Sequence, residues 1–265
     1  MLKDITIGQY IPGNSPIHKI DPRTKIITIC FYMTGLFLVN NLTGYLVVTL
    51  FTIGAILMSQ ISFITIMKGI KPLSFIIMLT LGLHIFMTEG DNVIWQWGIF
   101  KVTQQGVQQG VFMSLRLIYL ITITSLLTLT TTPIALTDGI EKVLKALFIP
   151  VAHELAMMMT IALRFIPTLI EETEKIMKAQ MARGADFESG GLLTRARSLI
   201  PLLVPLFLSS FRRADDLAMA MEARCYRGGE NRTRMKQLVM GYRDCIAFIA
   251  MTIFLVVAIL TRYWL

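Results

Sequence analysis

Two arginines, Arg183 and Arg224, stand 41 positions apart, each inside the same short pattern: Ala182-Arg183-Gly184 and Ala223-Arg224-Cys225. Each closes a long amphipathic run. A guanidinium at a rigid helix tip is a planar fork of donors, suited to bidentate capture of a carboxylate on another protein. A lone arginine in a last helical turn has a plainer use, because it complements the helix dipole and ties off orphan carbonyls. Two of them in one chain, each beside small residues that leave the fork accessible, favour docking chemistry. Other candidates carry less. His18 and Asp21 in HKIDPR lack a nucleophile, and Pro22 between Asp21 and Arg23 marks a rigid turn ahead of an apolar run. His84 has no second ligand at metal spacing, so no metal site is expected. Arg116 lies about six residues, ~9 Å, into an apolar run; it either pairs inside a helix bundle or snorkels to an interface. There is no GxxxxGK[ST] motif, and GVQQG at 106–110 is read as having no strand before it, so no phosphate loop is expected. Cys30, Cys225 and Cys245 form neither a CxxC pair nor an even disulfide framework. No cofactor is implied.

The elements that must carry the two arginines can be read from periodicity. In 168–184, Leu169, Ile170, Thr173, Ile176, Met177, Gln180 and Met181 recur at three- and four-residue steps and make one mainly apolar face. The opposite face pairs Glu171 with Lys175 and Glu174 with Lys178 in the favoured order. The second run, 206–225, is built differently: Ser210, Ala214 and Ala218 repeat every four residues, a small-residue stripe that lets another helix cross at close range.

The chain around these runs is a membrane protein. Of its 265 residues 54% are apolar and 16% charged, against roughly 25% charged in soluble domains. The net charge of +8 follows no stripe interleaved with aromatics, so nucleic acid is not an expected partner. Five runs approach the ~20 residues that a span needs, at 26–41, 44–60, 72–88, 106–130 and 245–261. With Pro and Gly at 12–13 rather than an apolar core, the chain is expected to insert by its first span. Lys19, Arg23 and Lys25 precede that span, and Lys68 and Lys71 sit in the loop between the second and third. The loop at 40–44 is uncharged, and 89–104 carries Glu89 and Asp91 with Trp95 and Trp97 as an interfacial belt. The positive-inside rule therefore puts the N-terminus in the cytoplasm and the C-terminus outside. It leaves 133–243 as one cytoplasmic insert holding 16 of the 25 Lys plus Arg and 12 of the 17 Asp plus Glu. Its apolar stretches 155–167 and 199–211, interrupted by Arg164, Pro201 and Pro205, read as surface helices partly sunk in the membrane. Three parts result: an elbow with four transmembrane helices (1–132), a coupling-helix module (133–243) and a final transmembrane helix (244–265). The expected fold is an all-α integral membrane protein of about five transmembrane helices plus long cytoplasmic helices that cross one another.

At this point the residues resemble a family, the transmembrane (T) component of energy-coupling factor (ECF) transporters, ABC-type importers of vitamins and transition metals. The resemblance runs through YIPGNSPIHKIDPRTK (10–25), LLTLTTTP (126–133), LRFIPTLIEETEKIMKAQMARGADF (163–187) and LIPLLVPLFLSSFRRADDLAMAMEARCYRGG (199–229). It implies a non-catalytic cell-membrane subunit whose two Ala-Arg-Gly motifs cap coupling helices docked into two cytosolic ABC-type ATPase subunits (EcfA and EcfA′). It also implies a membrane-embedded substrate-binding (S) subunit as partner. Arg183 matches the first motif and Arg224 the second, where Cys225 replaces the usual glycine and makes a left-handed conformation costlier. The competing class is a self-contained secondary transporter or channel. That needs ionisable residues clustered at mid-membrane and inverted repeats, and the spans offer one arginine, one histidine and no repeat. A membrane-embedded enzyme would need a convergent polar set within the spans, which is absent.

Overall fold

A computed structural model describes residues 10–89, 92–97, 100–187, 191, 193, 197–228 and 238–264. Helix α1 (Pro22–Leu38) starts where its sequence requires. Asp21 accepts a hydrogen bond from the Arg23 amide at 2.9 Å, and Pro22 occupies the first turn, where no amide donor is needed. Then follow α2 (Leu42–Ser59), α3 (Phe63–Ile70), a 3-10 turn (Lys71–Leu73), α4 (Ser74–Met87), a hairpin of β1 (Val93–Trp97) and β2 (Phe100–Thr103), and α5 (Gln104–Thr130). The remaining helices are α6 (Pro133–Ala146), α7 (Ala152–Ala182), α8 (Ile200–Ala223) and α9 (Tyr242–Trp264). This is an all-α membrane protein with a two-stranded addition. Among the described residues, five helical segments are long and apolar enough to cross a bilayer: Leu42–Ser59, Phe63–Met87, Gln104–Thr130, Ala152–Ala182 and Tyr242–Tyr263. At 17 residues α1 falls just short of that length.

Several expectations are corrected. Lys68 and Lys71 lie in α3 and the 3-10 turn, within one helical segment that continues through α4, not in a loop. A strand does precede GVQQG: β2 pairs antiparallel with β1, with an irregularity between Val93 and Trp95. The run VIWQW–FKVT is rich in β-branched and aromatic residues, which favour a pleated pair. The side chains of Trp95 and Trp97 lie outside what is described. Gly106 and Gly110 serve packing. A Cβ at Gly106 would stand 3.0 Å from the His84 carbonyl, and one at Gly110 3.3 Å from the Leu81 carbonyl. Glycine at these two steps lets α5 lie directly against the backbone of α4.

The chain forms two compact units. One spans Gly8–Ile140 with Lys236–Leu265, the other Glu141–Met235. In the first, α1 and α2 pack on α9, and α3 and α4 pack on α5. Tyr32 stacks between Phe51 and Phe254 at ring separations of 5.9 and 5.4 Å, and its hydroxyl meets Thr52 at 2.6 Å. In lipid, where tails are as apolar as leucine, such close packing and interhelical hydrogen bonds carry the association.

In the second unit α7 and α8 pack antiparallel. Gln180 near the end of α7 donates to the Pro201 carbonyl at the start of α8, and Glu172 accepts from Arg213 at 2.9 Å. Both helices begin upstream of where their charged halves suggest. Pro201 falls in the first turn of α8, while Pro167 and Pro205 are carried inside helices.

Candidate functional site

The end of α7 is a Schellman closure. The Gly184 amide donates to the Met181 carbonyl and the Ala185 amide to the Gln180 carbonyl, both at 3.0 Å, with Gly184 at φ +86. The end of α8 repeats it bond for bond. The Cys225 amide donates to Glu222 at 2.8 Å and the Tyr226 amide to Met221 at 3.0 Å, with Cys225 at φ +54. Arg183 and Arg224 thus hold the same position, the last half-helical residue before a left-handed turn, with nearly identical backbone angles (φ −89, ψ 8 and φ −91, ψ 12). Ala182, Arg183 and Gly184, and Ala223, Arg224 and Cys225, are all exposed. Among the described residues neither guanidinium has a hydrogen-bond or ion-pair partner.

Because α7 and α8 are antiparallel, the two tips leave opposite ends of the pair. Arg183 lies by the start of α8. Tyr226, two residues past Arg224, reaches the start of α7, where its hydroxyl meets His153 Nε2 at 3.1 Å. The helix lengths between these points put the tips roughly 35–45 Å apart at ~1.5 Å per residue. The face of α8 turned to α7 carries Ser209, Arg213, Leu217 and Met221, each half-buried. The small-residue stripe lies one step round: Ser210 is half-buried and bonds the Leu206 carbonyl of its own helix, while Ala214 and Ala218 are exposed.

Several residues that sequence reasoning left without a role acquire one. His153 is buried, with Nδ1 3.1 Å from Glu141 Oε1. Glu141 is 2% exposed and also takes Lys145 Nζ at 3.1 Å. Sequence gives no signal for this set, since 141, 153 and 226 share no spacing. The elbow at 10–25 is held by hydrogen bonds of its own and to distant segments. His18 bonds Ser15 Oγ at 2.6 Å and the Ile11 carbonyl at 3.0 Å. The Asp21 amide donates to Asp244 Oδ1 at 2.8 Å, and Arg23 donates to the Leu238 carbonyl. Lys25, ahead of the apolar run 26–41, places Nζ 3.0 Å from the Thr130 carbonyl and 2.9 Å from Thr131 Oγ1. The start of α1, the end of α5 and the start of α9 are tied together by these bonds. Arg116 takes the pairing role: it donates to the Val39 carbonyl at 3.0 Å and to Asn40 Oδ1 at 3.3 Å, capping the end of α1, and it lies over the Phe37 ring. Among the described residues no group of three His, Cys, Asp or Glu is placed to hold a metal ion. In the first unit an apolar cavity of about 600 Å³ opens beside Tyr32, Phe51, Ile123 and Met251. Two groups of its polar lining are bonded within the chain: Lys25 to Thr130, and Thr28 to the Lys25 carbonyl.

Fold and site together define a class, a helical membrane subunit that presents two arginine-tipped helices. Comparison with known proteins makes the class specific. Residues 13–235 match the cobalt transport protein family CbiQ. The chain is 57% identical to a protein of Clostridium kluyveri, over 100% of this chain and 99% of that one. It is 61% identical to one of Thermosediminibacter oceani, over 99% of each, and 52% identical to one of Bacillus subtilis, over 96% of each. All three bear the name energy-coupling factor transporter transmembrane protein EcfT. The chain belongs to this family, the transmembrane components of ECF transporters.

Proposed function

We propose that the chain is the coupling subunit of an ATP-driven importer, transmitting the motion of two cytosolic ABC-type ATPases to a membrane-embedded substrate-binding subunit. One observation carries this reading: two exposed arginines held in the same Schellman geometry at opposite ends of one antiparallel helix pair. A span of roughly 35–45 Å suits two separate ATPase subunits better than one groove. Each fork meets a carboxylate in the groove of its own ATPase. ATP-driven closure draws the grooves together and shifts the tips, and the helix pair passes that shift to the substrate-binding subunit. The shift is bounded by the difference in binding energy between open and closed grooves. Substrate choice, a vitamin or a transition metal, rests with the substrate-binding subunit. The stripe of half-buried Ser210 and exposed Ala214 and Ala218 is offered to that subunit as a close-crossing surface. The chain sits in the cell membrane with 133–243 in the cytoplasm.

The test is substitution at both tips. Losing one arginine leaves its carboxylate partner unpaired, costing about 3–5 kcal/mol where the groove is dry and less where it is wet. A plain helix-end role costs only ~0.3–1 kcal/mol, confined to this chain's own stability. Arg183→Ala or Arg224→Ala is expected to leave the protein folded but cut uptake severely. Arg183→Lys is expected to rescue partly, since one ammonium cannot copy the fork. The double Arg→Glu variant is expected to release both ATPases on affinity purification; retention of both with normal uptake removes the docking role.

A further inference from the structure

The two tips share a backbone geometry but not a residue at the left-handed step. In the first it is Gly184, for which φ +86 carries no steric cost; in the second it is Cys225, whose Cβ meets the adjoining carbonyl at φ +54. An interaction that holds Cys225 in this turn offsets that cost. The residue directly after it supplies a candidate. Tyr226 donates its amide to Met221 to close the Schellman motif and sends its hydroxyl to His153 Nε2 at 3.1 Å.

His153 is itself fixed. A carboxylate offers only acceptors, so the ring proton toward Glu141 Oε1, 3.1 Å away, belongs to Nδ1. In the neutral ring Nε2 is then the acceptor for the tyrosine hydroxyl. Glu141 is buried at 2% exposure and its charge is balanced by Lys145 at 3.1 Å. Four groups from the end of α6, the start of α7 and the turn after α8 therefore form one chain of bonds: Lys145, Glu141, His153, Tyr226. Its terminal member adjoins the strained residue.

We infer that the Glu141–His153–Tyr226 relay is a positioning clamp for the second tip: it holds the left-handed turn at Cys225 and so sets the direction in which Arg224 leaves the helix. Glycine makes this unnecessary at Gly184. His153 touches no partner on this account; it acts through Tyr226. The inference rests on the docking reading for its consequence, but the clamp itself is a property of the chain alone.

The experiment uses the full-length protein in nanodiscs and reads amide hydrogen exchange at both helix ends, with the Gly184 and Ala185 amides as internal reference. Tyr226→Phe removes one hydroxyl and is the mild variant; His153→Ala is the drastic one, and its folding is checked by exchange in α9. Tyr226→Phe is expected to speed exchange at Cys225 and Tyr226 about fivefold, the size of one hydrogen bond, while the first tip stays unchanged. Adding Cys225→Gly to Tyr226→Phe is expected to restore slow exchange, a rescue that general loosening of the fold does not give. Unchanged exchange at the second tip in Tyr226→Phe overturns the clamp, as does acceleration shared equally by both tips. The same variants are then assembled with the ATPases. Loss of the ATPase at the second tip alone, regained with Cys225→Gly, extends the clamp to docking. Faster exchange with full retention of both ATPases keeps the clamp and removes its consequence for docking, while the docking role itself is decided by the double Arg→Glu variant.

Discussion

At residue 225 a cysteine occupies a turn that glycine fills at residue 184, and the difference is measurable. A non-glycine residue at φ +54 carries about 1–2 kcal/mol of steric cost. Glycine's greater freedom in the unfolded chain returns up to about 1 kcal/mol of that gain. Cys225→Gly alone is therefore expected to stabilise the second tip by a net ~0.5–1 kcal/mol, read as slower exchange of the Tyr226 amide. Faster exchange would mean that the thiol itself holds the turn. Arg116 makes a second residue-level case. Its guanidinium ties off the Val39 carbonyl and Asn40 at the end of α1. Arg116→Met leaves that carbonyl without its donor, with an expected loss of about 1–3 kcal/mol. Arg116→Lys should retain part of it, because an ammonium can still meet one acceptor. Thermal unfolding of both variants in detergent compares them directly.

Among the helices, glycine placement and face choice decide what packs. Gly106 and Gly110 stand against the backbone of α4, whereas a Cβ at Gly82 meets nothing within 4 Å. Gly106→Leu is expected to cost about 1–3 kcal/mol by forcing α4 and α5 apart. Gly82→Leu should be neutral or slightly stabilising, since leucine is the better helix former; equal folded yields would show that α5 does not depend on close approach. On α8 the two stripes separate by function. Leu217→Ala should loosen the α7–α8 pair and speed exchange along α7. Ala214→Leu should leave that pair intact and weaken only assembly with the substrate-binding subunit. Sequence anticipates much at this scale. The apolar runs find α2, α4, α5 and α9 within a few residues, and the small-residue terminators mark both arginine tips. What escapes it is long-range or masked by apolar context. The hairpin signal around Val93–Thr103 is hidden because its aromatic residues read equally well as an interfacial belt. The upstream halves of α7 and α8 are obscured by Arg164 and the prolines, which packing tolerates. The Glu141–His153–Tyr226 relay joins three distant segments, and no local period points to it.

For the molecule as a whole, the decisive quantity is which helices cross the bilayer. Length favours α7 over α1: α7 has 31 residues, and its most apolar 18-residue stretch has mean hydropathy 1.3, while α1 has 17 residues, or ~26 Å against a core of ~30 Å. Charge argues the other way. The second half of α7 holds Glu171, Glu172, Glu174, Lys175 and Lys178, and each ionised group at a span's centre costs about 2.5–3.5 kcal/mol on insertion scales. By contrast the cations of α1, Arg23 and Lys25, stand in its first turn just after Lys19, ahead of an uncharged stretch, and the positive-inside rule then favours a cytoplasmic start. With α1 across and α7 at the surface, residue 97 and residue 264 face outward and residue 186 faces the cytoplasm. If α7 crosses as well, 186 moves outside and 264 moves in. Single cysteines at 97, 186 and 264, in a chain with Cys30 and Cys245 changed to serine and Cys225 to glycine, can be probed in intact cells with a membrane-impermeant maleimide. Labelling is expected at 97 and 264 and not at 186. Labelling at 186 from outside would carry Arg183 beyond the reach of any cytosolic ATPase, and the coupling role would fall with it.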